Sequence, residues 1–433
     1  MNRPQYTTRT ALALLACLPL AAAGCSIRSY NTAADTFYEP YRQGRMNTAA
    51  ERVTAAAKRR EDSRNNLLWR LEQGAVLLAA AEFDASLDAF ETAEQILDGY
   101  GERATISGRS VAREGAALLT NTTAIPYYGR SYDKIMLNTY KALAYARKDD
   151  LEGARVEMRR AYERQQQAVE EHADAIARAR KQARNRDVEL DRVMDHPRVK
   201  QQMDEHYGVL DGLEAYADYV NPFTVYLDGL LHLASDDSAD LERARKSFER
   251  TRGMVDADQA LDADLASVDE RYAKGRMSPT VYVIVEHGLA PVRREISFFL
   301  PVFVPLPRDD GVRVHGQFAA ASFPRLELQP APYDHFYVRA DGRRLGRTRL
   351  LASMDAVIGR AFRHELPIII ARTLAATAAR GVGRYHATRE HGLVAGFGLL
   401  VYEVIVARAD LRTWLTLPKE FQFARFPAPA GQL

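Results

Sequence analysis

Histidines, glycines and acidic pairs occur at several places where metal, nucleotide or acid–base chemistry could be sought. His386 and His391 are five residues apart, which places them about 140° from each other on a helix, and no cysteine joins them as a further metal ligand. Gly381-Val382-Gly383 lacks the third glycine, the preceding strand and the acid of a dinucleotide site. The pairs Asp236-Asp237 and Asp309-Asp310 are better explained by turns than by acid–base catalysis. The sequence therefore predicts no catalytic, cofactor or metal site, and we expect that the protein is not an enzyme.

Cys25 is a residue whose type and position do point to a defined reaction. It follows a basic start, an apolar run over residues 11–20 and the small residues Ala22-Ala23-Gly24. A thiol can form a thioether with a lipid, and small residues before it let a peptidase close around the backbone. The arrangement resembles the lipobox of bacterial lipoproteins, with Ala22 in place of the usual leucine, and implies that residues 1–24 are a signal peptide and that Cys25 is acylated. The alternative is an ordinary secretory signal in which the cysteine is incidental.

The residue after the cysteine bears on which membrane would hold the protein. In lipoproteins an aspartate at that position is the signal for retention in the inner membrane, and this chain has Ser26 instead. Because each buried methylene contributes roughly 0.8 kcal/mol, a multiply acylated Cys25 would hold the chain on a bilayer without a transmembrane helix. The resemblance implies a palmitoylated protein on the periplasmic face of the outer membrane, with residues 25–39 as its lipidated tether.

Composition and charge exclude several classes of protein. The chain has 433 residues, of which 47% are hydrophobic, so it can fill two ordinary cores. Its 59 basic residues exceed its 57 acidic residues by two, and Arg3 and Arg9 of the predicted signal account for that excess. A neutral mature chain gives no indication of nucleic-acid binding. The cysteines are Cys17, within the signal, and Cys25, so we expect no disulfide framework.

A change in composition divides the chain. From Tyr30 to about Lys274 it is rich in alanine, glutamate, arginine and leucine, which favour helices. From Met277 onward prolines, aromatic residues and β-branched residues gather, as is typical of strands and turns. We therefore predict an α+β protein, with a TPR-like α-helical repeat array over residues 40–275 and a mixed α/β domain over residues 276–433. The repeat pattern behind that first domain is described next.

The stretch Asn66 to Leu97 predicts two short helices packed against each other. Apolar residues recur at helical spacing in both halves, and Phe83-Asp84 separates the halves. Gly74 would allow the two backbones to approach, and Phe90 would fill the space between the helices. Because helices this short cannot bury their apolar faces alone, we expect further helices to pack on them. The stretch resembles a tetratricopeptide (TPR) unit.

The same pattern returns twice further along the chain. In Asn138 to Ala161, the offset from Ser86 to Ala154 is 68 residues, which is twice the 34-residue period of a TPR array. Asn221 to Thr251 gives a looser third copy with a longer turn. The sequence therefore predicts a TPR-like array. The alternative is a set of ordinary antiparallel helical hairpins, which also place small residues where helices cross.

Leu151 to Asp195 is the most strongly helical stretch of the chain. Its apolar residues, among them Tyr162 and Val169, recur every seven residues along a single seam. His172 and Arg186 occupy the second core position of the heptad, so we expect a long helix that protrudes or lies lightly on its neighbours, and not a stable coiled coil. Its charged residues predict a solvated face.

The C-terminal part opens with Thr280 to Glu286, whose continuous β-branched character predicts a strand buried on both faces. The elements that follow are two strands, a hairpin, two helices and an extended end. We predict them, in chain order, at Glu295 to Pro301, Val312 to Phe323, Phe336 to Gly346 with a turn at Asp341-Gly342, Leu350 to Arg380, Leu393 to Ala409 and Phe421 to Phe426.

Several short phrases carry a wider resemblance. They are Tyr132-Asp133, Asn138-x-Tyr140-Lys141-Ala142-Leu143, Asn221-Pro222-Phe223, Glu286-x-Gly288-x-Ala290-Pro291 and Asp410-x-Arg412-x-Trp414-x-x-Leu417-Pro418. Together with Cys25, they resemble an uncharacterised family of Gram-negative outer-membrane lipoproteins with TPR-like repeats. The resemblance leads us to expect a periplasmic adaptor that binds protein partners in cell-envelope assembly. The alternatives are a structural subunit of an outer-membrane secretion or motility complex and an envelope enzyme that acts on glycan.

One stripe of the predicted array is a candidate for partner binding. If residues 138–147 form the first helix of a repeat, then Met136, Tyr140, Leu143 and Arg147 align on one face. An aromatic ring, two aliphatic side chains and an arginine are favoured at interface hot spots. The alternative is that the stripe packs on the irregular segment of residues 99–133.

Overall fold

The computed structural model describes residues 30–106, 125–184, 195–213, 216, 220–256, 258–308, 311–391 and 408–428. Within these residues the chain is mixed α+β, because helices make up the first part and small antiparallel sheets with one long helix make up the second. The fold class predicted from composition is confirmed at this level. In the described part of the chain, no helix is both long enough and apolar enough to cross a bilayer.

The helices of the first part occupy most of the described residues up to Lys274. In chain order they are α1 (Tyr30–Arg42), α2 (Met46–Lys58), α3 (Asn66–Ala79), α4 (Phe83–Ile106), α5 (Ser131–Arg147), α6 (Leu151–Arg184), α7 (Pro197–Tyr207), α8 (Pro222–Leu233), α9 (Ser238–Arg252) and α10 (Asp258–Lys274).

The second part contains the strands and one more helix. In chain order they are β1 (Thr280–His287), β2 (Val292–Arg308), β3 (Gly311–Glu327), β4 (Tyr337–Ala340), β5 (Arg343–Arg347), β6 (Arg349–Ser353), α11 (Met354–His391) and β7 (Glu420–Pro427). Strands β2 and β3 pair with each other, as do β4 and β5, and a three-stranded sheet has the order β1-β7-β6. All pairs are antiparallel.

The α3–α4 and α8–α9 pairs are held together by the same glycine–phenylalanine contact. A Cβ added to Gly74 would lie 2.4 Å from the Phe90 ring, and one added to Gly229 would lie 2.7 Å from the Phe248 ring. Both rings are fully buried. The roles predicted for Gly74 and Phe90 are therefore confirmed, because only a residue without a side chain leaves room for the ring.

The α3–α4 and α5–α6 pairs share one turn geometry. Ala81 and Asp149 both have a φ of 61°, a left-handed conformation that ends the first helix of each pair. The next amide in each turn reaches back five residues, from Glu82 to the Leu77 carbonyl at 2.9 Å and from Asp150 to the Tyr145 carbonyl at 3.0 Å. The two turns are 68 residues apart, so the offset found in the sequence recurs in the backbone.

Gly74 and Gly99 offer a direct test of the packing between α3 and α4. Gly74→Ala should destabilise the protein by roughly 1 to 3 kcal/mol, because the new methyl group would displace the Phe90 ring. Gly99→Ala is the matched control, since no heavy atom lies within 4 Å of its added Cβ, and it should stabilise α4 by up to about 1 kcal/mol. Urea denaturation of both variants gives the comparison, and an equal effect at the two glycines would contradict the close contact.

The N-terminal helix corrects one prediction. Residues 25–39 were expected to form a tether, but α1 begins at Tyr30 and buries Ala34 and Phe37. The rings of Tyr30 and Phe37 meet Trp69 edge-on, with centroid distances of 5.1 and 5.9 Å. Tyr30, Ala34 and Phe37 recur at helical spacing, so this segment has the pattern of a packed amphipathic helix.

The helical and α/β parts share one hydrophobic core. Phe223 of α8 stacks on Phe421 of β7 with a centroid distance of 3.9 Å, and Tyr226 lies 4.9 Å from Phe423. Buried residues from Tyr30 to Phe423 form one cluster. The two parts therefore do not have separate cores, because α8 and its neighbours bury their apolar faces against the end of the chain.

The segment before β7 also docks on the helical part through Arg412. Its guanidinium donates to both oxygens of Asp410, at 2.8 and 2.7 Å, and to the Asn65 side chain at 3.1 Å and the Ile125 carbonyl at 3.0 Å. Arg130 donates to the Arg412 carbonyl at 2.6 Å. Thus the phrase that contains Asp410 and Arg412 ties two distant parts of the chain together.

One prediction about burial is wrong. β1 was expected to be buried on both faces, but within the described sheet it is an edge strand whose side chains are mostly half-exposed. On α6, Tyr162 is 46% exposed and Val169 is 50% exposed, which agrees with a helix that protrudes or lies lightly on its neighbours. The buried side of α6 carries Ala161 and Ala168 instead, because alanines let α6 approach its neighbours closely.

Most other predicted elements of the second part are confirmed. The strands predicted around Glu295 and Val312 are β2 and β3, and the extended end is β7. The β4–β5 hairpin turns at Asp341-Gly342, where both residues have positive φ. The helix predicted from Leu350 begins later, at Met354, because β6 precedes it. The helix predicted at Leu393 to Ala409 lies almost wholly outside the described residues.

Candidate functional site

The stripe predicted to bind a partner is divided between the core and the surface. Met136 and Tyr140 are 0% and 2% exposed, Leu143 is half-buried, and Arg147 is exposed, with its guanidinium over the Phe83 ring. Cys25, the predicted lipidation site, lies outside the described residues.

The surroundings of Tyr140 explain why the stripe is not a free surface. Its ring lies 6.2 Å from Phe90 and 5.8 Å from Trp414, and its hydroxyl donates to the Glu286 carboxylate at 2.9 Å. The C-terminal segment covers it through Trp414, and most of the segment of residues 99–133 named in the alternative lies outside the described residues. The prediction of an accessible stripe at Met136 and Tyr140 is therefore wrong, because an aromatic residue with a polar tip suits a core position as well as an interface.

A groove on the helical part has the shape and chemistry that the stripe lacks. It runs between α6 and α9, with α8 as its floor, and encloses about 320 Å³. Its lining residues are Met158, Tyr162, Gln165, Thr224, Val225, Asp228, Arg243, Lys246, Ser247 and Arg250. We call this surface the α6–α9 groove.

Helix periodicity places the walls of the α6–α9 groove. On α6, Met158, Tyr162 and Gln165 follow at intervals of four and three residues, so they share one face. Met158 and Gln165 are buried, while Tyr162 stands half-exposed at the rim. Val225 completes an apolar floor. The groove therefore has an apolar base with an accessible aromatic wall.

The α9 wall of the groove is basic. Arg243 is paired with Asp228, at 3.2 and 3.0 Å, and Asp228 also accepts from Ser247 at 2.7 Å. Lys246 contacts Glu242 at 3.3 Å in a pair that is exposed on both sides. Arg250 is exposed and has no ion pair within the described residues. Two cations, Lys246 and Arg250, are thus available to a ligand.

Gln165 adds a polar group that lacks a partner. Its side chain is 97% buried, because the exposed fraction of the residue is 3%, and its Oε1 has no hydrogen bond within the described part of the chain. Leaving a buried acceptor unsatisfied costs about 1 to 3 kcal/mol. Gln165 also lines the α6–α9 groove, so a turn of its side chain toward the groove would let a ligand donor remove this cost.

Sequence reasoning missed the α6–α9 groove because its walls belong to helices far apart in the chain. The charges of α6 were interpreted as a solvated face, and Tyr162 as part of a single apolar seam. The available signal was the run Arg243, Lys246 and Arg250, which places three cations on one face of a helix. It becomes informative only when α6 is known to lie opposite.

A second polar cluster lies between α4, α5 and α6, and its charged groups are paired with one another. The Lys141 ammonium is 1% exposed and contacts Glu94 at 2.5 Å and Glu157 at 3.0 Å. Asn138 donates to the same two carboxylates, at 3.1 and 2.7 Å. Arg160 contacts both as well. Because its charges neutralise one another across three helices, the cluster links α4, α5 and α6.

A buried carboxylate joins the first helix to the end of the chain. Glu72 is 0% exposed and accepts from the Tyr30 hydroxyl at 2.9 Å, the Leu415 amide at 2.6 Å, and the Thr416 amide and hydroxyl at 3.1 and 2.7 Å. Burial raises the pKa of the Glu72 carboxyl to about 7, although hydrogen bonds from Thr416, Leu415 and Tyr30 favour the charged form.

This pKa predicts a pH-dependent contribution of Glu72 to stability. In the unfolded chain a glutamate titrates near pH 4.3, so between about pH 4.3 and 7 the folded state binds more protons. The stability that the Glu72 carboxyl contributes is therefore complete at low pH and is lost as the pH rises through 7. Because glutamine does not titrate, the stability of Glu72→Gln relative to the native protein should increase by roughly 2 to 3 kcal/mol from pH 5 to pH 8. Urea denaturation at both pH values measures this difference, and a constant or opposite difference would show that the carboxyl pKa is not raised.

Within the described residues, no group of three or more histidine, cysteine, aspartate or glutamate side chains is placed to hold a metal ion. Comparison with protein-family models, with curated proteins and with solved structures found no match.

Proposed function

We propose that this protein is a lipid-anchored periplasmic adaptor on the outer membrane, which binds a partner polypeptide in cell-envelope assembly through the α6–α9 groove. The observation that carries the proposal is the groove itself, with the exposed Tyr162, the unpaired Arg250 and the unsatisfied buried Gln165. Grooves with an apolar base and a few convergent polar groups are the usual form of a binding site.

The proposal includes a TPR-like arrangement of α3–α4, α5–α6 and α8–α9. The turn shared by the first two pairs and the glycine–phenylalanine contact shared by the first and third support it. Stacked helical hairpins form extended concave surfaces, which suit polypeptide ligands. In this arrangement α6 and α9, from successive pairs, supply the two walls of the groove.

The anchor and the groove call for separate experiments. Cys25→Ala should move the protein from the outer-membrane fraction to the soluble periplasmic fraction, or leave its precursor uncleaved, because the thiol is the only acylation point in the motif. Fractionation of cell envelopes after a salt wash measures this. A variant that still floats with outer membrane would contradict the anchor and would leave the groove untouched.

The groove is tested by site-specific photocrosslinking in living cells. A photoreactive residue in place of Tyr162 should give a discrete crosslinked species, and Lys246→Glu with Arg250→Glu should remove it. The matched control is the same photoreactive residue in place of Val156, which is 41% exposed on another face of α6. Equal crosslinking from both positions, or a species that persists in the charge-reversed variant, would contradict partner binding in the groove.

A further inference from the structure

The α6 wall of the α6–α9 groove determines how many residues of a ligand can lie along it. From Met158 to Gln165 this wall spans about 10 Å, at about 1.5 Å per residue. An extended chain covers that distance with three residues, at about 3.3 Å each. An extended segment of about three residues therefore matches the length of the wall, in a groove of about 320 Å³.

The buried Gln165 fixes the kind of polar contact that the floor can make. Its unpartnered Oε1 is an acceptor, and an extended backbone presents N–H groups at regular intervals. Asp228 cannot replace it in this role, because its carboxylate already accepts from Arg243 and Ser247. A turn of the Gln165 side chain toward the groove would let a backbone amide of the ligand satisfy this acceptor.

The cations of α9 match the side-chain spacing of an extended chain. Lys246 and Arg250 are four residues apart on a helix, so their Cβ atoms lie about 6 Å apart. Alternate side chains of a strand point to the same side and lie about 6.6 Å apart. Two acidic residues separated by one position would therefore face both cations together. The Lys246–Glu242 ion pair would compete only weakly with these acidic side chains, since exposed ion pairs contribute about 0 to 1 kcal/mol.

The residue between the two acids would point to the opposite wall. That wall is formed by Met158 and Tyr162 of α6, with Val225 at the base. A leucine-sized side chain there would cover the half-exposed Tyr162 ring and gain burial on an apolar floor. Each wall thus selects its own class of side chain.

We propose that the α6–α9 groove binds an extended internal polypeptide segment of the pattern acidic–apolar–acidic, with the acids on Lys246 and Arg250 and the apolar side chain against Tyr162. This inference rests on the proposed adaptor function and adds the chemistry of its partner. A free C-terminal carboxylate is not required, because both anionic positions belong to side chains.

Fluorescence anisotropy on the full-length protein in detergent tests this pattern. The probe is the peptide Gly-Ser-Glu-Leu-Glu-Ser-Gly, labelled with fluorescein at its N-terminus and amidated at its C-terminus. We expect it to bind at least about tenfold more tightly than the peptide with Lys-Leu-Lys at its centre. The variant with Lys246→Glu and Arg250→Glu should reverse this preference. Such a reversal cannot result from misfolding, because the variant must still bind the lysine peptide.

Two further measurements test the positions of the contacts. Gln165→Leu should lower the affinity for the Glu-Leu-Glu peptide several-fold. A peptide with the central order Leu-Glu-Glu should bind the native protein less tightly than the Glu-Leu-Glu peptide. Equal binding of the acidic and basic peptides, no binding of either, or unchanged specificity in the charge-reversed variant would overturn the inference. If these results occur while crosslinking at Tyr162 still succeeds, the partner chemistry is wrong and the adaptor function stands. Loss of crosslinking at Tyr162 would contradict the adaptor function itself.

Discussion

A chain that ends at Lys274 is expected to aggregate or to melt without cooperativity, because the C-terminal segment completes the core of the helical part. Removal of that segment would expose Phe223 and Tyr226, which stack on residues of β7. It would also remove three of the four donors to the buried Glu72, leaving a carboxylate without its partners. Solubility after expression and thermal melting by circular dichroism measure the effect.

A chain that ends at Ala428 is the control for this truncation. It keeps Trp414 and all of β7, so it should melt cooperatively, at a temperature close to that of the full-length protein. A soluble and cooperative product from the chain that ends at Lys274 would show that the helical part folds alone. The composition boundary near residue 275 would then also be a domain boundary.

Phe90→Ala is expected to cost roughly 3 to 5 kcal/mol, through lost burial and the cavity left behind. The Phe90 ring is fully buried, fills the space over Gly74 and lies 6.2 Å from both Tyr140 and Trp414. Its loss would therefore weaken the packing of α3 on α4 and also the packing of the C-terminal segment at Trp414. Urea denaturation gives the change in the free energy of unfolding.

Val169→Ala is the control for Phe90→Ala. Val169 is 50% exposed on α6, so its truncation should change stability by less than about 0.5 kcal/mol. A loss at Phe90 no larger than that at Val169 would contradict the packing described between α3, α4 and the C-terminal segment.

Local features of the fold could be predicted from the sequence. Gly74 and Phe90 lie sixteen residues apart in one hairpin, and their side-chain sizes and spacing determine the contact. The Asp341-Gly342 turn likewise depends on adjacent residues with a preference for positive φ. Turn propensity and helical periodicity predict such local contacts, because residues close together in the chain have few alternative contact partners.

Contacts between distant parts of the chain could not be predicted in the same way. The sequence indicated that Tyr140 lies on one face of a helix, but not that Trp414 and Glu286 would cover it. The α6–α9 groove could not be predicted for the same reason, since Tyr162 and Arg250 line opposite walls only after three helices have packed. A stripe on an isolated helix has the same composition whether it faces solvent or another part of the chain.

The position of β7 has a consequence for how the protein folds. β7 is the last of the described strands and lies between β1 and β6, so neither of those strands has its partner in the sheet until residues 420–427 arrive. Folding during synthesis is then incomplete until these residues have emerged, and contacts of such long sequence separation form slowly. For the lipoprotein proposed above, a core that cannot close early would keep the chain unfolded longer, which suits export through a channel that accepts only unfolded chains. The apolar helix faces stay exposed until β7 inserts, so we expect refolding to be slow and to benefit from a chaperone that binds those faces.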